Sequence, residues 1–538
     1  MTTNLATIIE TAKRKCFNRN ISYICIINMS ADNHRGTRIA KNTLMLYVRM
    51  LVLMLVGLYT SRVVLAALGE NDFGIYNVVG GVVAMFTIIS GALNSAVQRF
   101  ITFEMGKGPQ AQLRRVYSTA VLIQIALAAI VVVFAEPIGL WFIDNKMTID
   151  PSRIPAARLV LHFSLAAFVI NLMSVPQMAS ITAHERMSAY AWIGVLDGLL
   201  RLSVALMVAY SSYDRLVLYA ALMMLVVMTV RLAYGLYCRK HFPECRFKAV
   251  FDKGLIKEMF SFAGWNFIGV TSGVLRDHGG NILVNLFSGP AVNAARGLAV
   301  QLNGAVQGFV TNFMTAVNPQ ITKSYASGER DYMFSLVRRS SRMSFCLLLF
   351  IALPIIFNTE YILGLWLKDV PAHSALFVQL FLVFALSESF SNPMITAMLA
   401  TGDIRNYQLV VGGLQLLNLP VSYLFLRFGA MPEVTVMVAI AISQICLFAR
   451  LIMLSKATGF PVAEYLADAY GPMLFKVAPA AVWLPLLLSI VIPGGFVGFL
   501  ISASVCLIST AGAVYMFGVT AEERRWLKVM ITDRLKKK

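Results

Sequence analysis

Charged residues are scarce in this 538-residue chain. Asp, Glu, Lys and Arg together make up 14% of it, whereas soluble domains average about 25%. Hydrophobic residues make up 58%, and the mean hydropathy is +0.71. A soluble fold would leave much of that apolar surface facing water. The composition therefore excludes an ordinary soluble globular protein and indicates that lipid is the solvent.

Motifs of disulfide-rich domains, metal sites and common enzymes are also missing. The seven Cys residues are scattered, so the sequence has no disulfide framework and no zinc-ligand spacing. His184-Glu185-Arg186 lacks the second His of the metalloprotease helix. We find no Gly-rich phosphate loop with its Lys and no Gly-x-Ser-x-Gly elbow. Nothing in the sequence points to catalysis, and we predict that the protein is not an enzyme.

Long apolar runs dominate the sequence instead. About 20 helical residues cross a hydrocarbon layer roughly 30 Å thick. Windows of that length give fourteen candidate spans, near 42–66, 75–99, 117–141, 156–180, 189–211, 217–237, 259–287, 291–317, 343–367, 375–400, 408–428, 434–454, 473–492 and 496–518. The runs are continuous and do not alternate with period two, which favours helices over a β-barrel. We therefore expect an all-α polytopic membrane protein.

Positive charges are concentrated in alternate connections between these spans. One set of connections holds 31 Lys and Arg residues, and the other set holds four, namely Lys146, Arg153, Arg215 and Lys368. Because positively charged loops stay in the cytoplasm, we expect both termini there. This distribution accounts for the net charge of +19 without a nucleic-acid partner.

The first 41 residues are predicted to be a cytoplasmic extension. Their apolar stretch, 21–29, is too short to span a membrane, and no convincing cleavage site follows, so we do not interpret it as a signal peptide. Met29 is an alternative start of translation. N-terminal sequencing of the native protein that found Met1 would exclude this alternative.

Spans 1–6 and 7–12 share short sequence matches at an offset near 220 residues. Pro176, Ala183 and Tyr190 recur with identical spacing as Pro393, Ala400 and Tyr407. Because each half has an even number of helices, the halves form a parallel repeat about an axis along the membrane normal. The predicted division is an extension 1–41, an N-lobe 42–237, a basic cytoplasmic linker 238–258, a C-lobe 259–454, two further spans within 455–518 and a basic cytoplasmic tail 519–538.

Several stretches resemble a known family, namely Arg38-Ile-Ala-Lys-Asn-Thr43, Tyr59-Thr-Ser-Arg-Val-Val-Leu65, Asp72-Phe-Gly-Ile-Tyr-Asn-Val-Val-Gly-Gly81 and Asn293-Ala-Ala-Arg-Gly297. Over roughly 35–520 the chain is similar to polysaccharide transporters, the oligosaccharide-lipid flippases that include O-antigen flippases. These belong to the MATE-like multidrug/oligosaccharidyl-lipid/polysaccharide (MOP) superfamily. The resemblance implies two six-helix lobes around a central cavity, followed by two C-terminal helices.

The same resemblance implies a function. The cargo would be a polyprenyl-diphosphate-linked oligosaccharide, a repeat unit of lipopolysaccharide O-antigen or capsule, moved from the cytoplasmic to the outer leaflet by alternating access. The protein would be a monomer in the lipid of a bacterial plasma (inner) membrane, with a polysaccharide polymerase and glycosyltransferases as candidate partners. No cofactor is expected, and H⁺ and Na⁺ are candidate coupling ions.

A lipid-linked diphosphate is a permanent anion, so its carrier needs fixed cations in a wet cavity that is shielded from lipid. Arg49, Arg201 and Arg276 lie deep in predicted spans, and Arg62 and Arg296 lie nearer the outer ends. Arginine suits this role because its planar fork binds phosphate oxygens and stays protonated when buried. These five residues are the candidate substrate-binding residues.

Three acidic residues are comparably deep and are candidates for ion coupling: Asp197, Asp277 and Glu388. Asp197 and Arg201 are spaced i, i+4 and can instead neutralise each other. Arg276-Asp277-His278 marks either a packed bend or a broken helix at a cargo site. Glu388 has no cation close in sequence, so it can carry a proton, bind Na⁺ or hydrogen-bond between helices.

Three alternatives remain at this point. Arginine and lysine residues near span ends are more often snorkelling anchors than ligands. This applies to Arg62, Arg99, Arg158, Arg231, Arg427, Arg450 and Lys476.

For the whole protein, the alternative is a multidrug or organic-cation exporter of the MATE type, although an acidic, aromatic cavity would suit such cargo better. A membrane enzyme such as a polymerase is a third class, which the short outer loops disfavour.

Overall fold

The computed structural model describes residues 3–520 and 523–524, apart from 85, 109–111, 148, 249–250, 368 and 491–493. Within that range it describes side chains from Arg38 onward, except those at 58, 70, 82, 84, 87 and 88. The alternative start at Met29, most of the predicted extension and most of the predicted tail therefore lie outside the described side chains.

The described chain consists of helices and their connections, and no strand occurs in it. The first half contains α1 (Thr3–Ala84), α2 (Thr87–Gly106), α3 (Leu113–Asn145), α4 (Ile154–Leu172), α5 (Val175–Ala183), α6 (Met187–Ala209) and α7 (Arg215–His241). The second half contains α8 (Lys253–Ala326), α9 (Arg330–Phe357), α10 (Thr359–Trp366), α11 (Ser374–Ser389), α12 (Ser391–Thr401), α13 (Arg405–Leu416), α14 (Asn418–Arg427) and α15 (Val434–Thr458). The chain continues with α16 (Val462–Tyr465), α17 (Ala478–Leu488) and α18 (Gly495–Ala513).

The helical membrane fold is confirmed. Among the described residues, ten helical segments are long and apolar enough to cross a membrane, and the pair α11 and α12, bent by 41°, makes an eleventh. Helices also cover the predicted intervals 259–287 and 291–317, and α1 and α2 cover 75–84 and 87–99 of the interval 75–99, without meeting that criterion. Two of these intervals belong to α8, which carries Arg276, Asp277 and Arg296. The count of fourteen spans therefore stays a prediction.

Helices α1 and α8 are bent at equivalent glycines. Gly69 has φ 75° and ψ 171°, and Gly289 has φ 81° and ψ 177°. This backbone region is essentially restricted to glycine. The two kinks are 220 residues apart, which matches the offset of the sequence repeat. Each kink divides one long helix into two segments at the same point of its lobe.

Small residues let helices approach closely within and between the lobes. Within the N-lobe, α1 lies on α6, where Gly198 leaves room for Leu53. Between the lobes, α2 crosses α8 so closely that a Cβ on Gly106 would lie 2.5 Å from the Cβ of Ala326. These two residues are also 220 positions apart, so the crossing joins equivalent ends of the repeat.

Ion pairs connect the helix ends on both sides of the bundle. We call the side with connections 107–112, 184–186, 242–252, 327–329 and 402–404 the basic end. Arg115 there pairs with Asp252 in the connection between the lobes. At the opposite end, Arg153 bridges Asp72 and Asp214. These pairs link the ends of helices that are distant in sequence.

We expect Gly289→Ala to destabilise the protein. An added Cβ would have no heavy atom within 4 Å, so the cost comes from the backbone conformation alone and is about 1–3 kcal/mol. The measurement is thermal unfolding of the purified protein in detergent. Gly297→Ala is the matched control, because its Cβ also meets open space and Gly297 lies within the same helix at an ordinary φ. Equal unfolding temperatures for the two variants would contradict the prediction.

Candidate cationic site

Arg49 lies inside the N-lobe against the first turns of α6. Its guanidinium carbon is 4.5 Å from the centroid of the Tyr190 ring. A Cβ on Gly194 would collide with its Nε, so the glycine makes room for the side chain. The Nε is buried and has no hydrogen-bond partner among the described residues. This donor is therefore buried against α6 with its hydrogen-bonding capacity unused in this conformation.

Asp197 and Arg201 continue the same face of α6. The Nε of Arg201 donates to Oδ1 of Asp197 at 2.9 Å, which is the pairing that their i, i+4 spacing allows. Their side chains are 28% and 41% exposed. Most of the charge of this arginine is therefore balanced locally, and Arg49 is the less compensated cation of the N-lobe.

Arg62 is exposed and stands apart from this group. It lies on the same straight segment of α1 as Arg49, thirteen residues further on. At 1.5 Å per residue, this separation is about 20 Å. The structure therefore does not bring Arg62 to the N-lobe cation.

In the C-lobe, two arginines from either side of the Gly289 kink meet at Asp277. The Nε of Arg276 donates to Oδ1 of Asp277 at 2.9 Å. Arg296 donates from Nη1 to the backbone oxygen of Asp277 at 3.2 Å and to Oδ1 of Asn281. The Nε of Arg296 is buried without a partner among the described residues. The kink thus creates a local cluster from residues twenty positions apart.

This cluster surrounds a very small cavity. The cavity volume is about 10 Å³, and its walls are formed by Arg276, Asp277, Arg296, Phe381, Phe384, Asn418, Thr435, Val436 and Ala439. Such a volume holds roughly one water molecule. In this conformation Arg49 and Arg201 lie in the N-lobe and Arg276 and Arg296 in the C-lobe, so a single cationic cavity that gathers all five arginines stays a prediction.

Glu388 lies at the bend between α11 and α12. No cation is close to it in sequence, but the structure places two arginines near it. Arg276 and Arg450 are both within electrostatic range of its carboxylate. The cations near Glu388 therefore come from other helices, α8 and α15, and not from residues close to it in the sequence. Each of the three candidate coupling acids, Asp197, Asp277 and Glu388, has an arginine nearby.

Arg450 is a functional candidate that the sequence analysis missed. It is only 1% exposed, so its interpretation as a snorkelling anchor is wrong. Its Nη1 donates to Oγ of Ser391 at 2.8 Å and its Nε to the hydroxyl of Tyr407 at 3.3 Å. The repeat contained a signal, because Tyr407 matches Tyr190, whose ring holds Arg49. The snorkelling interpretation of Arg99 is also wrong, since Arg99 is 8% exposed.

The residue types present suit anion binding. Arg276, Arg296 and Asp277 line the C-lobe cavity, and arginine presents a planar fork of donors to phosphate oxygens. Among the described residues, no cluster of three or more His, Cys, Asp or Glu could hold a metal ion. The arrangement can therefore bind an anionic group through arginines, with aromatic rings as neighbours.

Comparison with solved structures identifies the fold. A crystal structure of a MATE protein in complex with MaD3S has a TM-score of 0.69 at 12% identity, covering 79% of this chain and 97% of that one. An outward-facing multidrug resistance MATE transporter of the MOP superfamily gives 0.67 at 12%, covering 80% and 97%. A MOP superfamily transporter from Pyrococcus furiosus, described as having a binding pocket of reversed polarity, gives 0.65 at 11%, covering 79% and 96%.

Sequence comparison identifies the family. A search of the curated proteins finds no matching sequence. A family model described as polysaccharide biosynthesis protein matches residues 39–325, from the first span of α1 to the end of α8. That match covers more than half of the chain, and the solved structures above share its fold. The chain therefore belongs to the polysaccharide biosynthesis protein family and has a MATE-like fold.

Proposed function

We propose that the protein is a flippase for a polyprenyl-diphosphate-linked oligosaccharide, a repeat unit of O-antigen or capsule. It moves this cargo from the cytoplasmic to the outer leaflet of a bacterial inner membrane by alternating access. The observation that carries the proposal is the placement of incompletely paired arginines inside both lobes, with a buried Nε at Arg49 and at Arg296. Membership of the polysaccharide biosynthesis family supports the same cargo class.

The cargo's diphosphate accounts for these arginines. An anion that crosses the hydrocarbon layer needs fixed positive charge, and an arginine facing lipid would cost several kcal/mol by order of magnitude. The diphosphate binds Arg49 on the N-lobe side and Arg276 and Arg296 on the C-lobe side as the lobes move. The polyprenyl tail stays in lipid while the sugars pass between the lobes.

The carboxylates keep these cations partly neutral between transport events. Asp277 accepts from Arg276, and Asp197 accepts from Arg201. A phosphate oxygen that binds the guanidinium replaces the carboxylate, so the site avoids a large uncompensated charge at either stage. Glu388, Asp277 and Asp197 are then the places where a coupling H⁺ or Na⁺ would be taken up.

The distribution of charge supports the orientation. The alternate set of predicted connections that includes this end holds 31 Lys and Arg residues and the other set holds four, and positively charged loops are retained in the cytoplasm. The basic end is therefore cytoplasmic in this proposal, and so are both termini. The protein works as a monomer in membrane lipid, and a polymerase and glycosyltransferases are its candidate partners.

We expect Arg49→Ala and Arg276→Ala each to reduce export of the lipid-linked glycan at least about tenfold, because a charge-assisted hydrogen bond is worth about 1.5–3 kcal/mol. The measurement is native mass spectrometry for bound glycan, followed by export from reconstituted vesicles. Arg158→Ala is the matched control, since Arg158 pairs with Asp144 on the exposed surface.

Two outcomes would contradict the proposal. Wild-type export in both variants would remove the arginines from the mechanism. A purified protein that binds organic cations and no polyprenyl-diphosphate glycan would instead indicate a drug exporter of the MATE type.

We further expect the two ends of the bundle to react differently with a membrane-impermeant maleimide on intact cells. Tyr213→Cys, at an 81% exposed position of the opposite end, should be labelled. Lys240→Cys, at an exposed position of the basic end, should be protected until the cells are permeabilised. Each cysteine is introduced into a variant that lacks the native cysteines, so that no other thiol is labelled. The reverse pattern would show that the basic end faces outward.

A further inference from the structure

Glu185 connects the two lobes at the basic end. Its Oε1 accepts from Nζ of Lys323 at 2.7 Å, and its Oε2 accepts from Nε2 of Gln320 at 2.7 Å. Both donors lie near the end of α8 in the C-lobe, whereas Glu185 lies in the turn between α5 and α6 of the N-lobe. Arg38, on α1 of the N-lobe, is 3.1 Å from Oε2. One buried carboxylate is thus shared by donors from both lobes.

The backbone at Glu185 indicates that its side chain is needed there. Its φ is +58°, a conformation that is uncommon for residues other than glycine. By the offset of the repeat, the equivalent residue is Gly402, with φ +86°. Glycine is the unstrained choice at this turn, as the C-lobe shows. The N-lobe carries a strained glutamate whose side chain reaches the other lobe.

The repeat places a second contact between the lobes at the equivalent turn. There, Arg99 of α2 donates from Nη2 to the backbone oxygen of Ala400 at 3.1 Å, and a Cβ on Gly402 would lie 2.5 Å from that nitrogen. The two contacts are related by the repeat but differ in chemistry. Arg99 binds the main chain, whereas Glu185 forms an ionic contact with the opposite lobe.

An apolar seal also joins the lobes. Leu46 of α1, Met187 of α6 and Ala316 of α8 form a small core, and their exposures are 0%, 0% and 1%. Leu46 lies on α1 between Arg38 and Arg49, so the seal separates the Glu185 contact from the N-lobe cation. The three side chains of the seal are closed to solvent in this conformation.

We propose that Glu185, Gln320 and Lys323 form a latch that holds the lobes together at the basic end and opens once in each transport cycle. The latch positions the lobes and does not touch the cargo. When the lobes separate, Arg38 stays with Glu185 because both belong to the N-lobe. The carboxylate of Glu185 therefore keeps Arg38 as a partner when the latch opens. A buried carboxylate without a partner would be strongly unfavourable.

Lys323 is suited to leave the contact. Burial lowers the pKa of Lys323, while the charge and hydrogen bond of Glu185 oppose that shift. Water restores the solvation that burial removed when the lysine becomes exposed. The lysine therefore loses a partner and gains hydration in the same movement, and these two effects oppose each other.

The test measures access to the seal and does not depend on the cargo. Ala316→Cys is introduced into a background without the native cysteines, and a membrane-impermeant maleimide is supplied from the basic end in inside-out vesicles. We expect Lys323→Gln to raise the labelling rate about tenfold, because it removes a charge-assisted contact between the lobes. Arg38→Gln removes the cation that stays with this carboxylate when the lobes separate, so it should not raise the rate and should lower it if anything.

Unchanged labelling in Lys323→Gln would overturn the proposal. An equal rise in Arg38→Gln would also overturn it, because both variants would then be acting through general destabilisation. Arg338→Gln serves as a matched control, since Arg338 pairs with Glu464 outside the contact between the lobes.

A second measurement covers the case in which Lys323→Gln does not fold. The rings of Phe103 and Tyr325, on opposite lobes at the basic end, have centroids 6.2 Å apart. Cysteines at both positions, joined by a short cleavable thiol cross-linker, should abolish labelling of Ala316→Cys, and cleavage should restore it. Labelling that persists in the cross-linked protein would show that the seal opens without separation of the lobes.

Discussion

A charge inside a membrane protein must be shielded from hydrocarbon, and the interior of this structure is organised around that constraint. The arginines inside the predicted spans satisfy it in different ways. Arg201 and Arg276 each have a carboxylate at 2.9 Å, Arg450 donates to two hydroxyls, and Arg49 lies over an aromatic ring. In the proposed mechanism the diphosphate binds Arg49, Arg276 and Arg296.

Glycines make these positions possible. Gly194 faces Arg49, Gly280 faces Arg296 and Gly402 faces Arg99, and in each pair a Cβ would collide with the guanidinium. The absence of a side chain lets the flat group lie against a helix backbone or turn. The kinks at Gly69 and Gly289 serve a different purpose, because they redirect two long helices at equivalent points of the repeat. At the second kink, this change of direction brings Arg296 to Asp277.

Helix α1 relates the proposed site to the proposed latch. Arg38, Leu46 and Arg49 follow one another on this helix and take part in the Glu185 contact, the apolar seal and the N-lobe cation, respectively. A straight helix carries these three residues over about 16 Å. A movement of this segment that opens the basic end therefore also moves Arg49 relative to the C-lobe.

The sequence alone determined the solvent, the helical class and the family, because long apolar runs and local motifs are properties of consecutive residues. It also located Arg49, Arg276 and Arg296, since a charge within an apolar run is visible without a structure. Only the tertiary structure decided their partners. It buried Arg450 and placed it near Glu388, separated Arg62 from the other cations, and put Lys323 on the carboxylate of Glu185. These outcomes depend on contacts between helices that are far apart in the chain, and hydropathy and spacing within one helix do not encode them.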